Sequence, residues 1–161
     1  MRRGRMTAPT AFNIRPAQPS DALALAQLLA SVGWFARFET GNAQDHAQRI
    51  APLLQASEHS RQMLACDPQG ELLGYCAMHW LPVAVMQSWE AYVSELFIAD
   101  QARGLGVGAQ LLDHAVQAAR AQGCSRIWLI NNRDRDSYQR GFYAKQGWQE
   151  HAQAARFVLP L

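Results

Sequence analysis

The sequence predicts a mixed α/β domain in which about four helices pack against one sheet. A strand, a glycine-rich turn and a helix follow one another between residues 92 and 122. Upstream, a turn sequence at residues 67–70 joins two strand-like segments into a hairpin. Two segments with helical spacing of apolar residues precede that hairpin. The chain has 161 residues, and we expect a flexible leader at residues 1–10 followed by one domain over residues 11–161.

Composition limits the function classes. Hydrophobic residues make up 49% of the chain and charged residues 17%, which is typical of a globular protein. The net charge of +2 is too small to predict a nucleic-acid partner, and no apolar run approaches the ~20 residues that span a membrane. The arginines near the start have no apolar segment behind them, so an export signal is not expected, and Met6 is an alternative start.

The cysteines and histidines predict neither disulfides nor a metal site. The three cysteines lack C-x-x-C spacing, which indicates reduced thiols and a cytoplasmic protein. The five histidines are scattered without metal-ligand spacing.

The first third of the chain predicts a strand and two helices. Residues 12–15 alternate as a short strand before Pro16. Ser20 or Asp21 can cap a helix that Gly33 ends, and the spacing predicts a buried face of Leu23, Leu25, Leu28 and Leu29. A second helix is expected over residues 42–55, with Pro52 bending or breaking it and an apolar stripe of Ala47, Ile50, Leu53 and Leu54.

The middle and end of the chain predict the remaining elements. Strands over residues 62–66 and 71–80 form the hairpin, which Leu81 and Pro82 should stop. The central strand is expected at residues 92–98, a helix at 106–122 and a strand covered on both faces at 126–130. A polar loop, a helix over residues 137–146 and a last pair of strands at 148–150 and 155–159 complete the prediction. The helix at 106–122 should bury Val107, Leu111, Leu112, Ala115, Val116 and Ala119.

Glycines at the start of that helix predict an anion site. Gly104, Gly106 and Gly108 let backbone N–H groups approach a ligand closely, and the first N–H groups of a helix lack intrahelical partners. Together with the helix dipole they suit a phosphate or pyrophosphate. A tight structural turn is the plainer alternative. A dinucleotide site is disfavoured, because the next strand ends in Asn131 and Asn132 without the acidic residue that holds a ribose.

The same loop resembles a known family. The motif Gln101-x-x-Gly104-x-Gly106, with residues 94–98 before it and residues 141–148 well after it, is similar to the acyl-CoA site of the GNAT superfamily of N-acyltransferases. The resemblance implies a mostly antiparallel sheet, a central strand splayed from its neighbour, and direct acetyl transfer from acetyl-CoA to a primary amine in a ternary complex. The cofactor contacts that it implies are Phe97, Ile98, Gln101, Arg103, Gly104, Leu105, Gly106, Val107, Gly108, Asn132 and Tyr143.

The acceptor amine must lose a proton before it attacks, since a free alkylamine has a pKa of roughly 10. By resemblance, Glu95 on the central strand is the candidate general base. It would alternatively anchor a cationic acceptor or form a salt bridge with a nearby arginine. Glu90 and Tyr92 are alternatives for relaying the proton. The resemblance assigns the donor for the developing oxyanion to the backbone N–H of Phe97 or Ile98.

The leaving thiolate needs a proton, and Tyr143 stands where the family carries its tyrosine general acid. Tyr138 is the fallback. Asp136 occupies the place of a family asparagine that contacts pantetheine, so Asn132 is assigned that contact instead. Three arginines nearby either bind the cofactor's 3′-phosphate or, as we favour, are solvated: Arg133, Arg135 and Arg140.

Trp34 and Phe35 follow the first helix where the family forms a wall of its acceptor pocket, and they are candidate substrate contacts. With Trp80 and Trp89 they would make an aromatic-rich pocket for a cationic amine, or they belong to the core. A small-molecule amine and a peptide amine both fit as acceptor. The alternative function is a non-catalytic acyl-CoA-binding regulatory module, and a homodimer is compatible with the family.

Overall fold

The computed structural model describes residues 11–161, so the predicted leader at residues 1–10 lies outside the described residues. A first compact unit ends at Leu129, and a second comprises Ile130–Leu161. The prediction of one domain over residues 11–161 stays a prediction. Among the described residues, no helix has the length and apolar character to cross a membrane.

The first unit contains one five-stranded sheet whose strands lie in chain order. Neighbouring strands are antiparallel except the last pair, which is parallel because a helix crosses over between them. This confirms the mixed, mostly antiparallel sheet. The strands are β1 (Asn13–Pro16), β2 (Ser60–Cys66), β3 (Leu72–Val83), β4 (Ser88–Ile98) and β5 (Cys124–Leu129).

In the described part of the chain, three α-helices belong to the first unit and two one-turn helices belong to the second. Short 3₁₀ turns lie at residues 19–21, 36–38, 51–54, 84–86 and 100–102. The α-helices are α1 (Ala22–Val32), α2 (Ala43–Ile50), α3 (Val107–Ala121), α4 (Asp136–Gln139) and α5 (Phe142–Lys145).

The sheet separates α1 from α3. Successive side chains of a strand point to opposite faces. Gly74 on β3 lies under Val107 and Leu111 of α3, whereas its neighbour Tyr75 lies on the other face with Leu25 of α1. The predicted apolar face of α3 is buried, except that Val116 is only half-buried.

An ion pair fixes the start of α1 to the sheet. Arg15 on β1 forms two hydrogen bonds with Asp21, at 2.7 and 2.9 Å. Asp21 also accepts the backbone N–H of Gln18 at 2.8 Å, so it caps the turn that leads into α1. The buried face of α1 comprises Ala22, Leu25, Ala26, Leu28 and Leu29. The prediction that Leu23 belongs to it is wrong, because Leu23 is 40% exposed.

Pro52 ends α2, as predicted. The chain passes from α2 into a 3₁₀ turn at residues 51–54, since proline cannot supply the N–H that an α-helix needs there. The tighter winding changes which side chains face inward. Leu54 is buried, but Leu53 is 70% exposed, so its assignment to the apolar stripe is wrong.

The hairpin is longer than predicted. Leu81 and Pro82 do not stop β3, which runs to Val83 and pairs Pro82 with Trp89 of β4. The β2 pairing ends at Ser60 and His79, so Pro82 has no β2 partner in the described register. A proline is tolerated there because the missing N–H would face the side without a neighbouring strand.

Three predictions for the end of the chain are wrong. The run at residues 127–130 is not covered on both faces, since residues 127–129 are half-buried and Ile130 is 45% exposed. The helix expected over residues 137–146 is two single turns, because Gly141 has a φ of 67° and interrupts it. Residues 148–161 contain no strand. An isolated hairpin is marginal in water, and the apolar residues Phe157, Val158 and Leu159 of the second expected strand are exposed.

Candidate functional site

Strand β4 parts from β5 halfway along its length. The β4–β5 register ends at Val93 and Leu129, whereas the β3–β4 register continues to Gly74 and Ile98. A bulge accompanies the change, because Ala77 pairs with Glu95 and Met78 with Val93, which leaves residue 94 as an extra residue. Residues 94–98 are half-buried. This is the splayed central strand that the resemblance implied.

The glycine loop after β4 has the backbone that an anion site needs. Gly104 and Gly106 have φ values of 76° and 81°, in the left-handed region that favours glycine. A Cβ placed on either would meet no atom within 4 Å, so the loop is open. Gly106 is the N-cap of α3. The first N–H groups of α3 are therefore available to an anion.

The other predicted loop residues divide into packing and exposed positions. Val107 and Gly108 are buried and fix the start of α3. Leu105 is 43% exposed. Arg103 is exposed and forms an ion pair with Asp100 at 3.1 Å.

Glu95 lies on the half of β4 that has left β5, and Tyr75 Oη donates a hydrogen bond to its Oε2 at 3.1 Å. Burial raises the pKa of the Glu95 carboxyl, and the Tyr75 hydrogen bond partly offsets that rise. The alternative of a salt bridge between Glu95 and a nearby arginine differs from the structure, in which the described partner of Glu95 is Tyr75 and the ion pair on this strand is formed by Glu90. Arg126 Nε lies 2.6 Å from Glu90 Oε1, and the Glu90 side chain is 5% exposed. Glu90 is therefore a buried ion-pair residue of the β4–β5 pairing.

A cleft of about 350 Å³ lies between the sheet and the α1–α2 layer, and Glu95 lines it. Its floor consists of alternating side chains from three strands, because residues two apart face the same side. Its walls come from α1, the end of α2 and the 3₁₀ turn that follows. The lining residues are Leu25, Leu29, Ile50, Leu53, Leu54, Ser60, Gln62, Tyr75, Ala77, His79 and Glu95.

The sequence reasoning missed three polar residues near Glu95. Tyr75 and His79 line the cleft from β3. His79 Nε2 and the bulge residue Ser94 Oγ form a hydrogen bond at 2.9 Å. Burial lowers the pKa of His79, which favours the neutral imidazole. The alternation of Tyr75, Ala77 and His79 along β3 was the signal for this shared face, but the cross-strand register was needed to place it beside Glu95.

Trp34 and Phe35 pack against Phe97, two residues after Glu95 on the same strand. The ring centroids are 5.9 Å apart for Trp34 and Phe97, and 5.4 Å apart for Phe35 and Phe97. Trp34 is 42% exposed. Trp80 is buried and Trp89 is exposed, and none of the four aromatic residues is among those that line the cleft beside Glu95. Substrate contact by Trp34 and Phe35 stays a prediction.

Tyr143 is the second residue of α5 in the second unit and is half-buried. Its ring makes edge contacts with Phe142 and Trp148, at centroid distances of 5.0 and 6.2 Å. The fallback, Tyr138, donates a hydrogen bond from Oη to Glu150 Oε2 at 2.9 Å. Glu150 also pairs with Arg133 at 2.7 Å.

The asparagines before α4 differ in exposure. Asn132, the predicted pantetheine contact, is exposed. Asn131 accepts a hydrogen bond from Ser137 at 3.2 Å, and its Nδ2 is buried without a hydrogen-bond partner. A buried donor without an acceptor is destabilising, so Asn131 is the more suitable amide for a ligand. Arg140 is exposed and pairs with Asp136 at 3.0 Å.

Comparison with known proteins identifies the family. A model of the acetyltransferase (GNAT) family matches residues 29–148, which is most of the chain. The chain belongs to the GNAT acetyltransferase family.

Residues 11–161 contain no group of three His, Cys, Asp or Glu side chains arranged to hold a metal ion.

Proteins similar to this GNAT chain include one enzyme matched by sequence and two solved structures matched by fold. The aminoglycoside N(6′)-acetyltransferase type 1 of Klebsiella aerogenes is 24% identical over 152 residues, which are 92% of this chain and 96% of that protein. A transcriptional regulator from Bacillus halodurans C-125 has a TM-score of 0.80 at 23% identity, covering 92% of this chain and 100% of that one. An aminoglycoside acetyltransferase from an uncultured soil metagenomic sample, solved with sisomicin, has a TM-score of 0.74 at 16% identity, covering 93% and 96%. These solved structures support the fold.

Proposed function

We propose that this GNAT protein is an N-acetyltransferase that moves an acetyl group from acetyl-CoA to a primary amine by direct attack in a ternary complex. The observation that carries the proposal is the position of Glu95. It is a carboxylate lining a cleft, on the part of β4 that has left β5. The glycine loop and the N-terminus of α3 follow that strand directly.

Acetyl-CoA, the acetyl donor, fits the half of β4 that has left β5 and the glycine loop that follows it. The backbone N–H groups at Gly104, Gly106 and the first turn of α3 suit a pyrophosphate, and both glycines lack nearby atoms that would obstruct it. Gln101 and Arg103 flank this cradle on exposed positions. The half of β4 that is unpaired with β5 offers backbone groups to the pantetheine arm. In this proposal, the N–H of Phe97 or Ile98 stabilises the developing oxyanion.

Glu95 is the proposed proton acceptor for the amine. It takes a proton from the ammonium group, directly or through water, and the free amine attacks the thioester carbonyl carbon. A C–N bond forms, the C–S bond breaks with its electron pair leaving on sulfur, and the attacking nitrogen releases its second proton to solvent as the amide forms. A carboxyl whose pKa is raised by burial is a better base than an exposed one.

Tyr143 is the proposed donor of a proton to the leaving thiolate. Its place in the sequence Gly141-Phe-Tyr-Ala-Lys145 matches the family motif. Asn131, with its buried amide, is a candidate for the pantetheine contact that the family resemblance assigns to Asn132.

The test combines calorimetric titration of the full chain with acetyl-CoA and a thiol-release assay against a panel of primary amines. We expect acetyl-CoA to bind and thiol release to require an amine. The variant Gly106→Ala should weaken acetyl-CoA binding, because a left-handed conformation costs a residue with a Cβ roughly 1–2 kcal/mol. Binding without turnover across the panel would favour the acyl-CoA-binding regulatory module. Absence of acetyl-CoA binding would overturn the proposal.

A further inference from the structure

The cleft beside Glu95 has an apolar wall and one charged group. Five of its lining side chains are aliphatic and come from α1, α2 and the turn after α2: Leu25, Leu29, Ile50, Leu53 and Leu54. Leu53 is 70% exposed, so much of its surface is free to contact a ligand. Gln62 Nε2 donates to the Leu53 carbonyl at 3.2 Å and holds this rim in place over the sheet.

The charge of the cleft suits a single cation. Among the described residues that line it, Glu95 is the only carboxylate, and none is lysine or arginine. His79 favours its neutral form, because burial lowers its pKa. Tyr75 donates a hydrogen bond to Glu95 Oε2, which leaves Oε1 to pair with an ammonium group. A second or third ammonium group on the same ligand would meet leucine side chains or neutral polar groups.

The solvation free energies of charged and apolar groups determine which class of ligand this cleft favours. An ammonium group moved from water to an apolar surface without a partner loses several kcal/mol of hydration. An aliphatic or aromatic body in the same place gains about 25 cal/mol for each Å² removed from water. A cleft of about 350 Å³ is within the usual range for small-molecule sites.

We propose that the acceptor is a primary monoamine with an apolar body, bound with its ammonium group at Glu95 and its apolar body against Leu29, Leu53 and the neighbouring aliphatic side chains. The ligand class therefore differs from the aminoglycosides named for the Klebsiella relative. This inference rests on the proposed function, because it takes the Glu95 cleft as the acceptor site.

The test is calorimetric titration of the full chain with three probes: 2-phenylethylamine, 2-phenylethanol, which lacks the ammonium group, and sisomicin. We expect saturable binding of 2-phenylethylamine, with 2-phenylethanol and sisomicin each at least about tenfold weaker. The variant Glu95→Gln should weaken 2-phenylethylamine about tenfold and leave 2-phenylethanol nearly unchanged. Leu53→Asn should weaken both phenyl probes roughly fivefold, because it removes apolar contact.

Leu23→Asn is the matched control for Leu53→Asn. Leu23 is also an exposed leucine, but it does not line the cleft, so its variant should bind all three probes like the wild type. Tighter binding of sisomicin than of 2-phenylethylamine would overturn the inference. Equal effects of Leu53→Asn and Leu23→Asn would overturn it as well.

The binding and thiol-release results separate the two proposals. Amine-dependent thiol release with sisomicin preferred would support the proposed function and reject the monoamine class. The expected binding pattern with no thiol release from acetyl-CoA would support the ligand class and reject the transferase activity.

Discussion

Tyr75 Oη donates a hydrogen bond to Glu95 Oε2 across 3.1 Å, between neighbouring strands of the sheet. The two residues are not direct partners in the register, which pairs Tyr75 with Phe97 and Ala77 with Glu95. Their side chains meet diagonally on the face that forms the cleft. Tyr75 is 4% exposed, so the donor is held firmly. The contact orients the carboxylate and limits the rise in its pKa.

Tyr75→Phe should shift the pH dependence of catalysis. The Tyr75 hydrogen bond lowers the pKa of Glu95 against the rise caused by burial. Removing it raises that pKa further, so Glu95 becomes a base only at higher pH. We expect the acidic limb of the kcat/KM profile to move to higher pH, and kcat/KM near neutrality to fall about tenfold.

Tyr92→Phe is the control for this prediction. Tyr92 also lies on the sheet, and its ring stacks on Trp128 at 4.3 Å, which phenylalanine would preserve. Its variant should keep the wild-type acidic limb. A limb that moves with Tyr92→Phe and stays in place with Tyr75→Phe would contradict the prediction and favour Tyr92, the alternative proton relay, as the tyrosine that governs the acidic limb.

Glu95→Gln should change how stability depends on pH. Because burial raises the folded-state pKa of Glu95, the folded protein holds this proton more tightly than the unfolded chain does. Stability therefore falls as pH rises from the unfolded-state pKa through the folded-state pKa. Glutamine does not ionise. Thermal unfolding should show the variant at least as stable as the wild type at neutral pH, with the difference shrinking toward pH ~4. The prediction would be contradicted if the stability of the variant, measured relative to the wild type, were lower at neutral pH than at acid pH.

Tyr143→Phe should slow acetyl transfer without unfolding the protein. The ring contacts with Phe142 and Trp148 do not need the hydroxyl group. We expect kcat to fall on the order of 10²-fold, as is usual when a general acid is removed. Tyr138→Phe is the comparison, because its hydroxyl is bonded to Glu150. A larger loss from Tyr138→Phe than from Tyr143→Phe would transfer the role to Tyr138.

Gly74→Ala should destabilise the protein. A Cβ at this position would lie 2.9 Å from Ile98 Cδ1 and 3.0 Å from side-chain atoms of both Leu111 and Val107. Overpacking of this kind costs about 1–3 kcal/mol, measurable as a lower urea midpoint. Adding Ile98→Val removes the nearest atom and should restore part of the loss. A double variant no more stable than Gly74→Ala would show that Ile98 is not the source of the strain.

Asp21→Asn should destabilise the protein at neutral pH and much less in acid. Hydrogen bonding to Arg15 holds the pKa of Asp21 below its ordinary value. The stability that this pairing adds is present above the unfolded-state pKa and is lost as pH falls through the folded-state pKa. We expect a loss of about 1–2 kcal/mol near pH 7, measured by denaturant unfolding. Asp136→Asn, which breaks an exposed pair with Arg140, should cost well under 1 kcal/mol.

Much of the fold could be predicted because its signals are local. The spacing of Leu111, Leu112 and Ala115 indicated one buried helical face, and these residues are buried on α3. The glycines after β4 predicted a loop that a ligand can approach closely, and Gly104 and Gly106 have positive φ values with no atom near an added Cβ. Pro52 ended α2 because the chemistry of proline acts within one turn. The predictions were wrong where a segment has no neighbouring strand to pair with, as for the strands expected at residues 148–150 and 155–159.

The candidate site was only partly predictable. Glu95 was found by its place in a family motif, but neither its hydrogen bond to Tyr75 nor the cleft has a signal within one segment. These depend on the register of three strands and on a bulge at residue 94. A salt bridge of Glu95 with a nearby arginine was an open alternative, but the described ion pair on β4 joins Arg126 to Glu90, across the parallel pairing of β4 with β5.

The sequence by itself determined most of the element types, the glycine loop and the family, because helical spacing, turn residues and short motifs act over a few neighbouring residues. The tertiary structure decided which side chains share a site. Strand pairing placed Tyr75, His79 and Glu95 on one face, and the packing of α1 and the turn after α2 added leucines opposite them. Contacts between residues distant in the chain follow from strand register and packing, and the sequence patterns within separate segments do not contain that information.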